Sequence, residues 1–313
     1  VSDPIRLALV GMGKIANDQH YPALTSDADF DLVACVDRDG SCLAHLPYFV
    51  TIQELAESGL TVDAVAICTP PQVRHDIAQF ALEQGWHVLL EKPPGATLAE
   101  VVALRETAQD RGLALLASWH SRFAPCVDQA REWLAGREIK SGRIVWREDV
   151  RVWHPRQHWI WEPGGFGVFD PGINALSIAT HILPDPMFVE QSELFFPGNC
   201  SAPIAAQVRF RDRKGALIAM DLDFRQEGKQ SWDIVIETAG GTLTLSNGGA
   251  DISTTGAPPP PRDDVLPGEY SALYRRFAEL VRNSSCDVDV RPLRLVADAF
   301  LCGRITRVDD FIE

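Results

Sequence analysis

The stretch "IRLALVGMGKIA", residues 5–16, constrains this chain more than any other. Residues 5–10 are apolar almost without a break, which suits a parallel strand covered on both faces. They run directly into Gly11-Met12-Gly13-Lys14-Ile15-Ala16, a GxGxxA turn that opens a helix. The first glycine permits the tight turn, the second lets backbone approach a pyrophosphate, and the small third residue lets the helix pack on the strand. Asp37 ends the next strand, "FDLVACVD", 21 residues after Ala16, where a ribose-binding acid belongs. Together these features predict a dinucleotide site that includes Gly11, Met12, Gly13, Lys14, Ile15 and Asp37. The bland alternative is a tight strand-to-helix turn without a ligand. Asp37 should accept from ribose hydroxyls and repel a 2′-phosphate, whereas Arg38 can pair with that phosphate or lie along the adenine. This reading favours NAD and admits NADP.

After this start, "LTVDAVAICTPP", "WHVLLEKPP" and "LALLASWHS" read as further strands separated by helical segments such as "VRHDIAQFALEQG". Strand and helix in alternation predict a doubly wound parallel sheet over residues 1–121. Beyond it, "GRIVWREDVRV", "FVEQSELFF", "IAAQVRFRD", "ALIAMDLDFR", "SWDIVIETA" and "GTLTLSN" follow one another with little helix between them. Several alternate apolar and polar residues, so residues 122–313 read as an α+β domain on an open, mostly antiparallel sheet with one face covered. The main candidate for the cover is a helix opening at Asp170. A proline-rich turn, "GAPPPPRDD", reads as an extended surface loop, with a partner-binding motif as the lesser alternative. Two amphipathic helices follow, "EYSALYRRFAELVRN" and "VRPLRLVADAFLCG", with room to pack back on the first domain.

Charge and composition exclude several classes. A net charge of −14 with no Lys/Arg-rich run argues against a nucleic-acid partner. No apolar run approaches the roughly 20 residues of a membrane helix, and the first strand has no signal-peptide pattern before it, so the expected location is the cytoplasm. The seven cysteines (35, 42, 68, 126, 200, 286 and 302) are scattered without a CxxC pair, which suits reduced thiols and no structural metal.

Glu91-Lys92-Pro93 after "GWHVLL", with "CTPPQVRH" before it and an Asp-x-Gly-x-Asn helix start later, resembles the Gfo/Idh/MocA oxidoreductases, the glucose-fructose oxidoreductase and inositol dehydrogenase family. The longer matches "GKIANDQH", "LEKPPGATL", "WHSR", "WHPRQHWIWEPGG", "GVFDPGINALSI" and "SCDVDVRPLRLVADAF" resemble its bacterial L-arabinose and D-galactose 1-dehydrogenase branch. The resemblance spans nearly the whole chain. It implies a Rossmann domain, a C-terminal open sheet, and a sugar bound over the nicotinamide, with Thr69, Pro70, His75, Glu91 and Lys92 joining the cofactor residues. It also implies that Lys92 reaches the oxygen on the reacting carbon, where it can polarise that oxygen or exchange a proton. Self-association is expected by analogy alone.

Asp170 before Pro171 is a good N-cap with proline at the first helical position, a sufficient structural reason for both residues. Asp170 and Asn174 are nevertheless four apart and share a helix side, which Ser177 and His181 continue. Many family members carry a histidine at the position of Asn174, read as the base; asparagine does not titrate, so that role cannot be carried over. The expected catalytic set is Lys92, Asp170 and Asn174, with the first two handling the proton and the third fixing the hydroxyl. His120, Trp153, His154 and Trp232 are candidate sugar contacts, since aromatic faces suit the C–H face of a pyranose. His20, His75 and His158 line the site or merely decorate it. The implied activity is that of an NAD(P)-dependent aldose 1-dehydrogenase acting on L-arabinose, D-galactose and D-fucose. The alternatives are oxidation at another sugar or inositol carbon, and a non-catalytic dinucleotide-binding regulator.

Overall fold

The computed structural model describes residues 3–40, 45–261 and 268–313; Cys42 and residues 262–264 of the proline-rich turn lie outside them. The first six strands are β1 (Ile5–Val10), β2 (Phe30–Val36), β3 (Tyr48–Phe49), β4 (Ala64–Ile67), β5 (His87–Leu90) and β6 (Leu115–Ala117). Then come β7 (Ile139–Arg147), β8 (Met187–Pro197), β9 (Ala205–Asp212), β10 (Leu217–Asp223), β11 (Ser231–Thr238), β12 (Gly241–Ser246) and β13 (Asp251–Thr254). Two more, β14 (Cys286–Asp287) and β15 (Gly303–Val308), follow late in the chain. The helices are α1 (Tyr21–Thr25), α2 (Ile52–Glu57), α3 (Pro71–Glu83), α4 (Leu98–Asp110), α5 (Val127–Leu134), α6 (Val150–Trp153), α7 (Phe169–Ile182), α8 (Glu269–Asn283) and α9 (Arg291–Leu301).

The chain divides into two units, Val1–His120 with Leu266–Val290, and Ser121–Val265 with Arg291–Glu313. Helix α8 therefore groups with the first unit and α9 with the second.

In the first unit seven strands lie in the order β14-β6-β5-β4-β1-β2-β3, all parallel. The run Leu7 to Leu9 is wholly buried because helices cover both faces, as a central parallel strand requires. Register does the positioning: Val10 lies opposite Val36 and Ile67, Ile67 opposite Leu90, and Leu90 opposite Ala117. The residues that follow β1, β2, β4, β5 and β6 consequently emerge along one sheet edge, where ligands of open α/β sheets bind. The helix after β1 is wound wider over Ala16–His20, with the Tyr21 N–H donating to the Ala16 carbonyl. Pro22 supplies the reason, since it has no N–H for the ordinary bond one turn back.

The second unit holds eight strands in the order β13-β12-β11-β7-β10-β9-β8-β15. Five pairings are antiparallel, while β7–β10 and β15–β8 are parallel. Along β9 the outer residues alternate with Val208 and Phe210, which face the core. Helix α7 closes on this sheet tightly: a Cβ on Gly172 would stand 2.6 Å from Leu222 Cδ1 of β10. Glycine here is a packing requirement, and it holds the start of α7 against the sheet. The strand expected over residues 142–152 ends at Arg147. Asp149 caps the Arg151 N–H at 3.0 Å and turns the chain into α6. Among the described residues no helix is long and apolar enough to cross a membrane. The six described cysteines are free thiols.

Candidate active site

The turn after β1 has the shape a dinucleotide needs. Gly11 has φ +88°, and a Cβ there would stand 2.8 Å from the Thr69 nitrogen, so only glycine lets this turn lie against the loop after β4. A Cβ on Gly13 would meet nothing within 4 Å, leaving open space beside the helix start for a phosphate group. Asp37 is fixed by two backbone donors, Met12 N–H at 2.7 Å and Asp39 N–H at 2.9 Å. Each of its oxygens keeps a lone pair for a ribose hydroxyl. Arg38 is 88% exposed and stands only loosely beside Asp39, at 3.8 Å. Lys14 pairs with Asp18 on the helix surface. The residues present fit a dinucleotide.

At the end of β5 the backbone is pinned from below. The buried Arg74 guanidinium donates to the carbonyls of Thr69, Glu91 and Pro93, tying the loops after β4 and β5 into one piece. Glu91 is buried and accepts from Tyr270 Oη at 2.6 Å, from His20 Nε2 at 3.2 Å and from the Lys92 N–H at 2.5 Å. His20 Nδ1 meets Tyr274 Oη at 2.7 Å. Burial works against a charge on His20, but Cys68 and Glu91 outweigh it and push the imidazole up to about 10. Burial likewise works against the Glu91 charge, yet the His20 partner holds its carboxyl well below the usual range. The result is a buried ion pair under the peptide of Lys92, which is joined to Pro93 by a cis bond. From Val88 to Gly95, Lys92 alone is not buried. His120 belongs to the same unit: its Nδ1 stands 2.6 Å from Glu269 Oε2 and its ring stacks on Tyr270 at 5.2 Å. His75 pairs with Asp76 at 3.0 Å on the first turns of α3, and Pro70 precedes that helix.

In the second unit α7 begins at Phe169, with Val168 at its cap and no side-chain cap bond. The expected cap at Asp170 is therefore corrected. Phe169 and Asp170 N–H groups bond the Phe166 and Gly167 carbonyls at 3.0 and 2.9 Å, so a tight turn from the preceding loop starts the helix early. Pro171 then sits where no donor is needed. Asp170 is 2% exposed. From Phe166 to Thr180 the one residue not buried is Asn174. The expected stripe does not extend further: the Ser177 hydroxyl donates to the Asn174 carbonyl at 2.7 Å, and His181 meets Asp128 at 3.3 Å.

Beside Asp170 lies a cluster built around Glu148. Its two oxygens take His154 Nε2 and Trp232 Nε1, both at 3.0 Å. His154 Nδ1 stands 3.8 Å from Asp170 Oδ2 and 3.4 Å from Gln157. Trp153, 43% exposed, meets Trp232 edge to face at 5.0 Å. Asp170, His154, Trp153 and Trp232 are thus brought together, with a carboxylate and an imidazole for hydroxyls and indole faces for C–H groups. His158 opens a single turn over His158–Trp161. Glu148 was not singled out in the sequence, nor were Arg74, Tyr270 and Glu269. The signal available was weak, a carboxylate just after a strand and an arginine one residue before His75.

With this geometry in view, the chain belongs to the Gfo/Idh/MocA family: residues 5–118 match the family described as oxidoreductases with an NAD-binding Rossmann fold. It is an oxidoreductase of that class. It is 47% identical over 313 residues to the galactose 1-dehydrogenase of Pseudomonas fluorescens, covering 99% of each chain. The crystal structure of a D-galactose 1-dehydrogenase from Rhizobium etli, 50% identical, superposes with a TM-score of 0.91 over 100% of this chain and 99% of that one. KijD10, a 3-ketoreductase from Actinomadura kijaniata crystallised with TDP-benzene and NADP, is 18% identical and has a TM-score of 0.79, covering 97% of this chain and 99% of its own. At that identity the likeness is one of fold.

Proposed function

We propose that this chain is an NAD(P)-dependent aldose 1-dehydrogenase, oxidising C1 of D-galactose, L-arabinose and D-fucose pyranoses to the lactone. The observation that carries the reading is the 47% identity to a galactose 1-dehydrogenase across 99% of both chains. In the reaction the C1–H bond gives up a hydride, the C1 hydroxyl gives up its proton, and a C1–O double bond forms. A bound nicotinamide supplies the hydride acceptor. Lys92 holds the C1 oxygen, and it or Asp170 receives the proton, while Asn174, which donates and accepts but does not titrate, fixes the hydroxyl. An anomeric hydroxyl is more acidic than an ordinary secondary alcohol, so a carboxylate or an amine is base enough. Glu148 orients His154 and Trp232, and these with Trp153 and His120 contact the ring.

The three sugars share ring stereochemistry and differ at the C5 substituent. One apolar group is worth only about 1–3 kcal/mol of discrimination, so all three should react within about two orders of magnitude in kcat/KM. The test is a panel of aldoses with NAD or NADP, followed by absorbance of the reduced cofactor and identification of the product. Silence with every aldose removes the proposal.

The same reading places NAD ahead of NADP, because the Asp37 charge is held at the turn by Met12 and Asp39. Asp37→Ser should raise the NADP/NAD ratio of kcat/KM by about ten-fold or more, through lost repulsion and an Arg38 free to meet the phosphate. An unaltered ratio would mean the ribose lies elsewhere. We further propose a cytoplasmic setting and self-association.

A further inference from the structure

We infer that Phe311, Asn199 and Glu313 form a strap that positions the His154-bearing loop, making Phe311 a positioning residue for sugar binding; this rests on the proposed sugar contact of His154. The loop from Glu148 to Phe166 has little structure of its own. It contains the single turn of α6, another single turn at His158–Trp161, and Arg156 in a left-handed conformation at φ 58°. Its internal backbone bonds are turn bonds that reach no more than four residues, so the placement of the loop as a whole depends on contacts made outside it. Two such contacts come from the chain after β15.

The first is aromatic. Phe311 packs on Trp161 with ring centroids 5.1 Å apart, Trp161 meets the buried Phe224 edge to face at 5.7 Å, and Phe224 lies 5.6 Å from the His154 ring. Four rings thus run in series from the segment after β15 to the imidazole. The second is polar. Asn199 clamps the Phe311 backbone on both sides, donating to its carbonyl at 2.8 Å and accepting from its N–H at 3.0 Å. Glu313 Oε1 accepts from the Arg156 N–H at 2.6 Å, two residues from His154. Asp310 is seated by a bare glycine: a Cβ on Gly198 would stand 2.4 Å from its Oδ1. A segment that only finished the sheet edge at β15 would need neither Trp161 nor Arg156.

The strap acts on loop order, and so on sugar affinity more than on the chemical step. Phe311→Ala removes the ring and keeps the backbone bonds to Asn199, so it should raise KM for D-galactose about five- to ten-fold, the worth of an aromatic pair, and leave kcat and KM for the nicotinamide cofactor within about two-fold. Asn199 is exposed, so Asn199→Ala leaves the core intact and should shift KM in the same direction; Phe311→Tyr keeps the ring and should restore most of the loss. Hydrogen exchange reads the strap without activity: amides of residues 153–161 should exchange faster in both alanine variants than in the parent. An unchanged exchange pattern there overturns the strap, as does a KM change shared equally by sugar and cofactor. If the parent oxidises no aldose, the functional proposal falls, and faster exchange would still establish the strap.

Discussion

Lys92→Met is expected to lower kcat by about 10³-fold or more, since in the proposed reaction it removes both a proton-handling group and a donor to the C1 oxygen. The dissociation constant for the reduced cofactor, measured by fluorescence titration, should change by less than about three-fold. This split follows from how the residue is held. The peptide of Lys92 is fixed by Glu91, and its loop is fixed by Arg74 through the Thr69, Glu91 and Pro93 carbonyls. None of these bonds uses the ammonium, so methionine leaves the turn in place. Methionine also matches the length of the aliphatic stem. Lys92→Arg should recover little, because a planar fork does not replace a compact point donor. Ordinary turnover in Lys92→Met would remove the lysine from the reacting centre.

What the sequence made readable and what it hid differ by range. The nucleotide turn is local: Gly11 to Ala16 lie within six residues, and Asp37 follows at the fixed distance that a strand and a helix impose. Six of the eight strands of the second sheet, β7 to β12, were also legible, since the period-two pattern survives wherever one face is buried. The short β3, β13 and β14 were not, because two to four residues carry no period; β15, an edge strand with Arg304 and Ile305 both exposed, has no alternation to show it. Helix α8 was read from its own apolar stripe, but nothing within it says which sheet it joins.

The hidden part of the site is polar and long-range. Glu91 meets Tyr270 across 179 positions, and Glu148 meets Trp232 across 84. Glu148 is an unremarked residue after a strand until the fold brings it a donor, and Glu91, named in its motif, shows its buried partners only in the fold. Arg74 lies on a helix between the exposed Val73 and the half-buried His75, and only its bonds in the fold show that it serves three carbonyls. The early start of α7 is a local error of another kind. A cap motif, Asp before Pro, was outvoted by the turn at Phe166 and Gly167, which had already set helical geometry.

The second large effect concerns the buried pair beneath Lys92. His20→Gln should destabilise the protein by about 3–5 kcal/mol near neutral pH, because it leaves the Glu91 carboxylate buried without its cation. The sign of the pH dependence follows from the imidazole. An unfolded histidine titrates near 6.5, and in the fold His20 is pushed up to about 10 by Cys68 and Glu91 acting against burial. The native state therefore holds that proton more tightly. Its stabilisation is complete below 6.5 and is lost as pH rises toward 10. Tyr270 and Tyr274 are raised well above their ordinary range by burial, so both stay protonated through this window and keep their bonds. The Glu91 carboxyl, held low by His20 against burial, contributes in the opposite direction: its share is present above the ordinary carboxyl range and disappears in acid. Urea midpoints at pH 7, 8.5 and 10 should fall steeply for the parent and stay nearly level for His20→Gln. Glu91→Gln should flatten the same limb, and the double variant should cost much less than the two single losses added, since both remove one interaction. Parallel pH profiles in parent and His20→Gln would show that the imidazole is uncharged in the fold and that the Lys92 turn rests on neutral hydrogen bonds instead.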